Sequence, residues 1–238
     1  MRLRYDRAQR AYEQARPRTA VAFEAKNFDK YVGYYQLVHS PSKFTHIFRD
    51  GDRFFEQLNT EKRLGTQPVE FFPESETKFF TTRVVAQIRF VRDAQGQVTG
   101  LVFHQNGYES PATRVDQSVV DAYETALDQR LKDNSPGPGT EAFLRRYIVG
   151  CENGDPNYED MSRALATAVR RIQPTVIAAR HQRVGAFKAL TFKGVDRRGW
   201  DVYEATFTLG QVEYRMAPLI ASGKAIVLVS ANFHKSHA

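Results

Sequence analysis

The residues able to do chemistry in this chain are few, and their spacing decides what each can do. Ser40-Pro-Ser-Lys43 and Ser75-Glu-Thr-Lys78 both place a lysine three residues after a serine, the spacing of a serine nucleophile activated by a lysine one helical turn on. That chemistry needs the pair at the start of a buried helix. Both stretches read instead as turns that enter aromatic strands, where residues three apart point to opposite faces, so neither is expected to be a nucleophile. Ser230-Ala-Asn232 closes a terminal strand, and no K-T-G-like triad accompanies it.

His104 is the remaining candidate, in the stretch VTGLVFHQNGY from Val98 to Tyr108, with Gln105 and Asn106 beside it. Alternation predicts Val98, Gly100, Val102 and His104 on one strand face and Thr99, Leu101, Phe103 and Gln105 on the other. Asn106-Gly107 is the dipeptide of a tight hairpin. A lone histidine without a nucleophile or ligand partner has no mechanism, so His104 is expected to be structural. His104 and Gln105 remain candidates for pocket or surface contacts.

The other ionisable clusters read the same way. His39, His46, His104, His181, His234 and His237 are scattered, and no pair has the short helical spacing of a zinc motif. No glycine-rich phosphate cradle occurs. Glu74/Glu76 and Glu159/Asp160 read as solvated carboxylates in a turn and at a helix start. No catalytic residue, metal or cofactor is therefore expected.

The elements that must position these residues fall into three zones. The 238 residues suffice for one large domain or two small ones, and 42% hydrophobic content with 26% charge is that of a folded chain. The net charge of +7 owes much to the first 20 residues, where six arginines face only Asp6 and Glu13. The pairs Arg145-Arg146, Arg170-Arg171 and Arg197-Arg198 lie in three different elements, so no nucleic-acid partner is expected. Cys151 is alone, which excludes an internal disulfide. The longest apolar run, Ala225 to Val229, is too short to span a bilayer. The N-terminus lacks the apolar centre of a signal peptide, so the chain reads as cytosolic, or as a mature or truncated part of something larger.

Residues 1–27 are expected to form a helical leader or linker, with a short helix from Tyr5 to about Arg16 closed by Pro17. From Phe28 to Val115 short aromatic and β-branched runs alternate with turns, among them Asp50-Gly51, Pro73 to Glu76, Asp93 to Gln97 and Asn106-Gly107. About eight strands result, a number that suits an antiparallel up-and-down barrel or a strongly curved sheet. Val84, Ala86, Ile88 and Phe90 are expected on its core face. A helix is expected over 116–133, and NSPGPGTE, with two prolines and two glycines, marks the domain boundary.

An α+β module is expected over 140–233, with a polar tail at 234–238. Thr140 should cap a helix; a second should run from about Tyr158 to Ile172 and a third from Pro174 to about Arg183, packed on a four-stranded antiparallel meander. Trp200, after Arg197-Arg198-Gly199, reads as a packing anchor at a hairpin start. Trp200, Tyr203 and Tyr214 are the candidates here for pocket or surface contacts. The aromatics of either half line a pocket or fill a core, and close packing favours the filled core.

FDKYVGYYQL, FFPESETKFF and IRFVRDAQGQVTGLVFHQNG, in order between Phe28 and Arg114, resemble the lipocalin-like domain at the C-terminus of serine beta-lactamase-like, penicillin-binding-protein-like hydrolases. GTEAFLRRYIVGCENGDPNYEDMS and LTFKGVDRRGWDVYEATF resemble a further module that follows it in some bacterial members, similar in layout to the cone-shaped folds of the nuclear transport factor class. The large catalytic domain that precedes these modules has no counterpart here, and residues 1–27 read as a remnant or replacement of the join to it. No catalytic residue carries over.

The resemblance implies a non-catalytic accessory role in oligomerisation, partner association or ligand binding. The partners implied are a second copy of the chain or a separate serine hydrolase subunit, and the ligand a small apolar molecule. Such relatives are commonly periplasmic or secreted. The alternative is a small-molecule binder or enzyme using a pocket in the barrel or in the α+β domain.

Overall fold

The structure, a computed structural model, describes residues 2–172, 177, 179, 182–219 and 223–235, with side chains described for 6–172, 177, 179, 182–219 and 223–230. The chain divides into two units, Met1–Glu124 and Thr125–Ala238.

The first unit opens with α1 (Arg2–Gln14), which stops ahead of Pro17, and a 3-10 helix (Ala25–Tyr31). Eight strands follow: β1 (Gly33–Leu37), β2 (Phe44–Asp50), β3 (Arg53–Leu58), β4 (Val69–Pro73), β5 (Lys78–Thr81), β6 (Ala86–Arg92), β7 (Val98–Gln105) and β8 (Tyr108–Val115). A short helix, α2 (Asn59–Arg63), joins β3 to β4. Each strand pairs antiparallel with the next, and β8 returns to β1 through the register Tyr35↔Arg114. Of the two arrangements the sequence allows, barrel and curved sheet, the closed barrel is the one formed; closure leaves no unpaired edge.

The turns do what their residues demand. Asn106 and Gly107 both have positive φ, 52° and 77°, as a two-residue hairpin of this kind requires. Gly51 supplies a φ of 56° between β2 and β3. At the β6–β7 turn the Asp93 carboxylate accepts hydrogen bonds from the backbone N–H groups of Gln95 and Gln97.

One end of the barrel is filled. Phe28 stacks on Phe54 at 4.3 Å and Tyr31 on Phe90 at 4.1 Å, while Phe23, Phe28 and Tyr31 meet the ring of Phe79 edge-on. Phe23 lies in the segment read as leader, so that segment contributes to the barrel core. The Tyr35 hydroxyl donates to Tyr31 O at 2.7 Å, and burial pushes its pKa up to about 12.

Two sequence expectations fail locally here. Val84 is exposed in the β5–β6 turn, and the core face of β6 is carried by Ile88 and Phe90. Strict alternation in β7 fails because the register shifts opposite Val91/Arg92, leaving Thr99 as an extra residue. Val98 and Leu101 therefore share the core face with Phe103, and Gly100 and His104 lie on the other.

The division between the units falls inside α3 (Gln117–Asp133). The second unit contains α4 (Thr140–Glu152), a 3-10 turn (Tyr158–Asp160), α5 (Arg163–Arg171), β9 (Phe187–Val195), β10 (Asp201–Phe207), β11 (Gly210–Met216) and β12 (Leu228–Lys235). The strands form an antiparallel sheet in the order β12-β11-β10-β9. The helical stretch expected over 158–172 is broken at Met161, which forms a bridge to Ala225, and α5 restarts with Ser162 as its cap, its hydroxyl accepting from Leu165 N–H. Gly139, with φ 76°, holds the cap position of α4 that Thr140 was expected to take. The third expected helix, 174–183, lies largely outside the described residues. His234, expected in a tail, lies on β12 opposite Gln211.

A polar knot joins α4 to the sheet. Asp201, fully buried, accepts hydrogen bonds from Gly137 N–H at 2.8 Å and from the Thr140 hydroxyl at 2.6 Å, and the Tyr203 hydroxyl lies 2.8 Å from Thr140 Oγ1. Thr140 thus spends its hydroxyl on a tertiary contact. Among the described residues no helix is long and apolar enough to cross a membrane.

Candidate functional site

Opposite the filled end, the barrel holds a cavity of about 410 Å³. Its apolar wall includes Leu58, Phe71 and Phe103, and its polar groups include Glu56, Glu61, Thr81 and Gln105. Strand alternation explains the wall. On β3, Phe54, Glu56 and Leu58 point inward while Arg53, Phe55 and Gln57 point outward; Phe54 belongs to the filled core, and the next two inward residues line the cavity.

Glu56 is the unusual member. It is only 6% exposed, and it stands opposite Ile47 on β2 and Val69 on β4. Thr45, also buried and a diagonal neighbour across the β2–β3 pair, donates its hydroxyl to Glu56 Oε1 at 2.5 Å. Among the described residues this is the one hydrogen bond to the carboxyl. Burial pushes the Glu56 pKa up to about 7, against the lowering effect of Thr45, and the Glu61 carboxylate adds to the rise. A carboxyl that titrates near neutrality at the base of an apolar cavity can bind a proton, donate a hydrogen bond when protonated, or pair with a cation when charged.

The residues singled out in the sequence are distributed around this cavity rather than gathered in it. Gln105 lines it, together with Asn106 and Tyr108. His104 lies on the outer face of β7, opposite Gln87 on one side and Glu109 on the other. Its Nδ1 is 3.4 Å from Glu109 Oε1, yet desolvation outweighs that carboxylate and holds the imidazole pKa below its ordinary value. Two thirds of a catalytic triad are present in this pair, but no hydroxyl or thiol among the described residues hydrogen-bonds His104.

Ser40 and Lys43 close the β1–β2 turn through a backbone hydrogen bond, Lys43 N–H to Ser40 O. Ser75 Oγ accepts from Lys78 N–H across the β4–β5 turn. Glu74 pairs with Arg18, and Glu76 with Lys30 and Arg92, which hold its pKa down to about 2. In the second unit Tyr203 and Tyr214 are cross-strand partners buried in the core, and Trp200 lies half-buried beside Arg198. Cys151 is buried in the same core. Asp160 is taken up by Arg146 and Asn157. His181 and His237 lie outside the described residues. Among the described residues no three metal-ligating side chains converge.

Glu56 was not singled out from the sequence, though a signal exists: it is a carboxylate flanked at i−2 and i+2 by Phe54 and Leu58, on the face of β3 that must be apolar. Its partner Thr45 left no such trace.

The first unit is thus an antiparallel barrel with one end filled by aromatic rings and a ligand-sized cavity at the other. Residues 17–119, which span the barrel, match a family described as a domain of unknown function, DUF3471. No curated protein matches the chain.

Proposed function

We propose that this chain is a non-catalytic accessory protein, of the kind that accompanies beta-lactamase-like serine hydrolases, whose barrel binds a small, largely apolar ligand. The cavity above Glu56 carries the reading. It is of ligand size, it opens at one end of a barrel whose other end is packed, and its lining combines apolar side chains such as Leu58, Phe71 and Phe103 with polar ones such as Glu56, Glu61 and Gln105. The resemblance of the strands to the lipocalin-like module of those hydrolases supports the accessory role. The turn positions of Ser40 and Ser75, and the lack of a hydroxyl or thiol hydrogen-bonded to His104 among the described residues, argue against hydrolysis by this chain.

The reading is tested by two measurements on the same preparation. Melting shifts across a set of small apolar alcohols, amines and acids should show stabilisation by at least one class, because a ligand that binds only the folded state raises Tm. Hydrolysis of nitrocefin and p-nitrophenyl esters should stay at the buffer rate. No shift from any ligand would remove the binding role, and turnover lost on Ser40→Ala or Ser75→Ala would replace it with an enzymatic one.

A further inference from the structure

Resting on the reading of the barrel as a ligand site, we infer that its ligand carries a cationic head: the cavity is built for a small alkylammonium, whose charge meets Glu56 at the base and Glu61 at the side. The charge of the wall points to such a head. The chain as a whole carries +7, yet among the described residues the cavity is lined by two carboxylates and by no lysine, arginine or histidine. Carboxylates on the outside of the barrel have guanidinium partners, as in the bidentate pairs of Arg49 with Asp29 and Arg53 with Glu70, whereas the two in the cavity have none among the described residues.

The surroundings of the Glu56 carboxyl point the same way. A buried carboxylate normally has a cation or several N–H donors around it. Glu56 has one hydroxyl donor, Thr45, and no basic group within hydrogen-bond reach among the described residues. One of its oxygens is thus left for a donor that arrives from the cavity. An ammonium supplies both the missing charge and up to three N–H donors, and Glu61, on α2, lies close enough to Glu56 for their charges to be felt. The apolar wall formed by Leu58, Val69, Phe71 and Phe103 then takes an aliphatic body. Above pH 7, where Glu56 is charged, a carboxylate or phosphate ligand would face two like charges, and an alcohol would leave the negative charge of Glu56 unpaired.

Calorimetric titration of the full chain at pH 8 with n-hexylamine, n-hexanol and n-hexanoate tests this. The amine is expected to bind at least 10-fold more tightly than the alcohol, and the hexanoate not at all. Glu56→Gln should remove that 10-fold preference, and Glu61→Gln, at a half-buried position, should reduce it several-fold while leaving the circular dichroism unchanged. If the alcohol binds as tightly as the amine, or if both variants keep the preference, the cationic ligand is wrong while the apolar site stands. If none of the three binds, the site reading falls with it.

Discussion

Thr45 and Glu56 share a 2.5 Å hydrogen bond inside the barrel, hydroxyl to carboxyl, on neighbouring strands. The bond holds the carboxyl in place without neutralising it, and burial then sets the pH behaviour. Folded Glu56 keeps its proton up to about pH 7, against an ordinary value of 4.5 in the unfolded chain. Between those values the folded state binds more protons, so the stability contributed by this group is present below pH 4.5 and is lost as pH rises through 7. Glu56→Gln mimics the protonated form. It should match the wild type at pH 4.5 and exceed it at pH 8 by about 3 kcal/mol, at ~1.4 kcal/mol per pH unit of displacement. Calorimetric melting at the two pH values reads this directly; equal stabilities at pH 8 would show that the carboxyl is not desolvated.

The filled end of the barrel should behave as core. Phe79 touches the rings of Phe23, Phe28, Tyr31, Phe54 and Phe90. Phe79→Ala removes the centre of that cluster and should cost about 3–5 kcal/mol in urea unfolding. A loss under 1 kcal/mol would mean that the end is loosely packed and that the ligand cavity extends through it.

Gly100 marks a close approach of strands. A Cβ at this position would stand 2.5 Å from Ala112 O on β8, a backbone atom that cannot step aside. Gly100→Ala should therefore push β7 from β8 and lower stability by roughly 1–3 kcal/mol. An unchanged unfolding midpoint would place β8 further away than the geometry here has it.

In the second unit, Asp201→Ala strips the acceptor from the buried Gly137 N–H, while the Thr140 hydroxyl keeps Gly137 O at 2.8 Å. The expected loss is about 1–3 kcal/mol, because the orphaned N–H keeps its desolvation cost. Asp201→Asn keeps one acceptor oxygen and should lose less. Amide exchange at Gly137 should accelerate in both, and fastest in the alanine variant.

The parts of this fold legible in sequence are those fixed by local chemistry. Asn106-Gly107 must turn because both residues take positive φ, and Asp93 binds the N–H groups of its own loop. The register of the aromatic runs follows from which side must be dry. The bulge at Thr99 is different, since one extra residue between Val98 and Leu101 is decided by the partner strand β6 and leaves no mark in VTGLVF. Thr140 shows the same limit, because its hydroxyl prefers the buried Asp201, 61 residues away, to its own helix. At the candidate site, strand alternation puts Gln105 on the face of β7 opposite His104, the side that lines the cavity. Glu56 could be recognised only by taking an acidic residue on an apolar strand face as a signal.

A ligand seated in the barrel cavity is located residue by residue by NMR titration. With n-hexylamine added to ¹⁵N-labelled protein at pH 8, the backbone amides of Glu56, Phe71, Phe103 and Gln105 should shift together and saturate with one Kd, while those of the filled end and of β9–β11 stay put. Shifts centred on the second unit, or none at saturating amine, would contradict binding in the barrel.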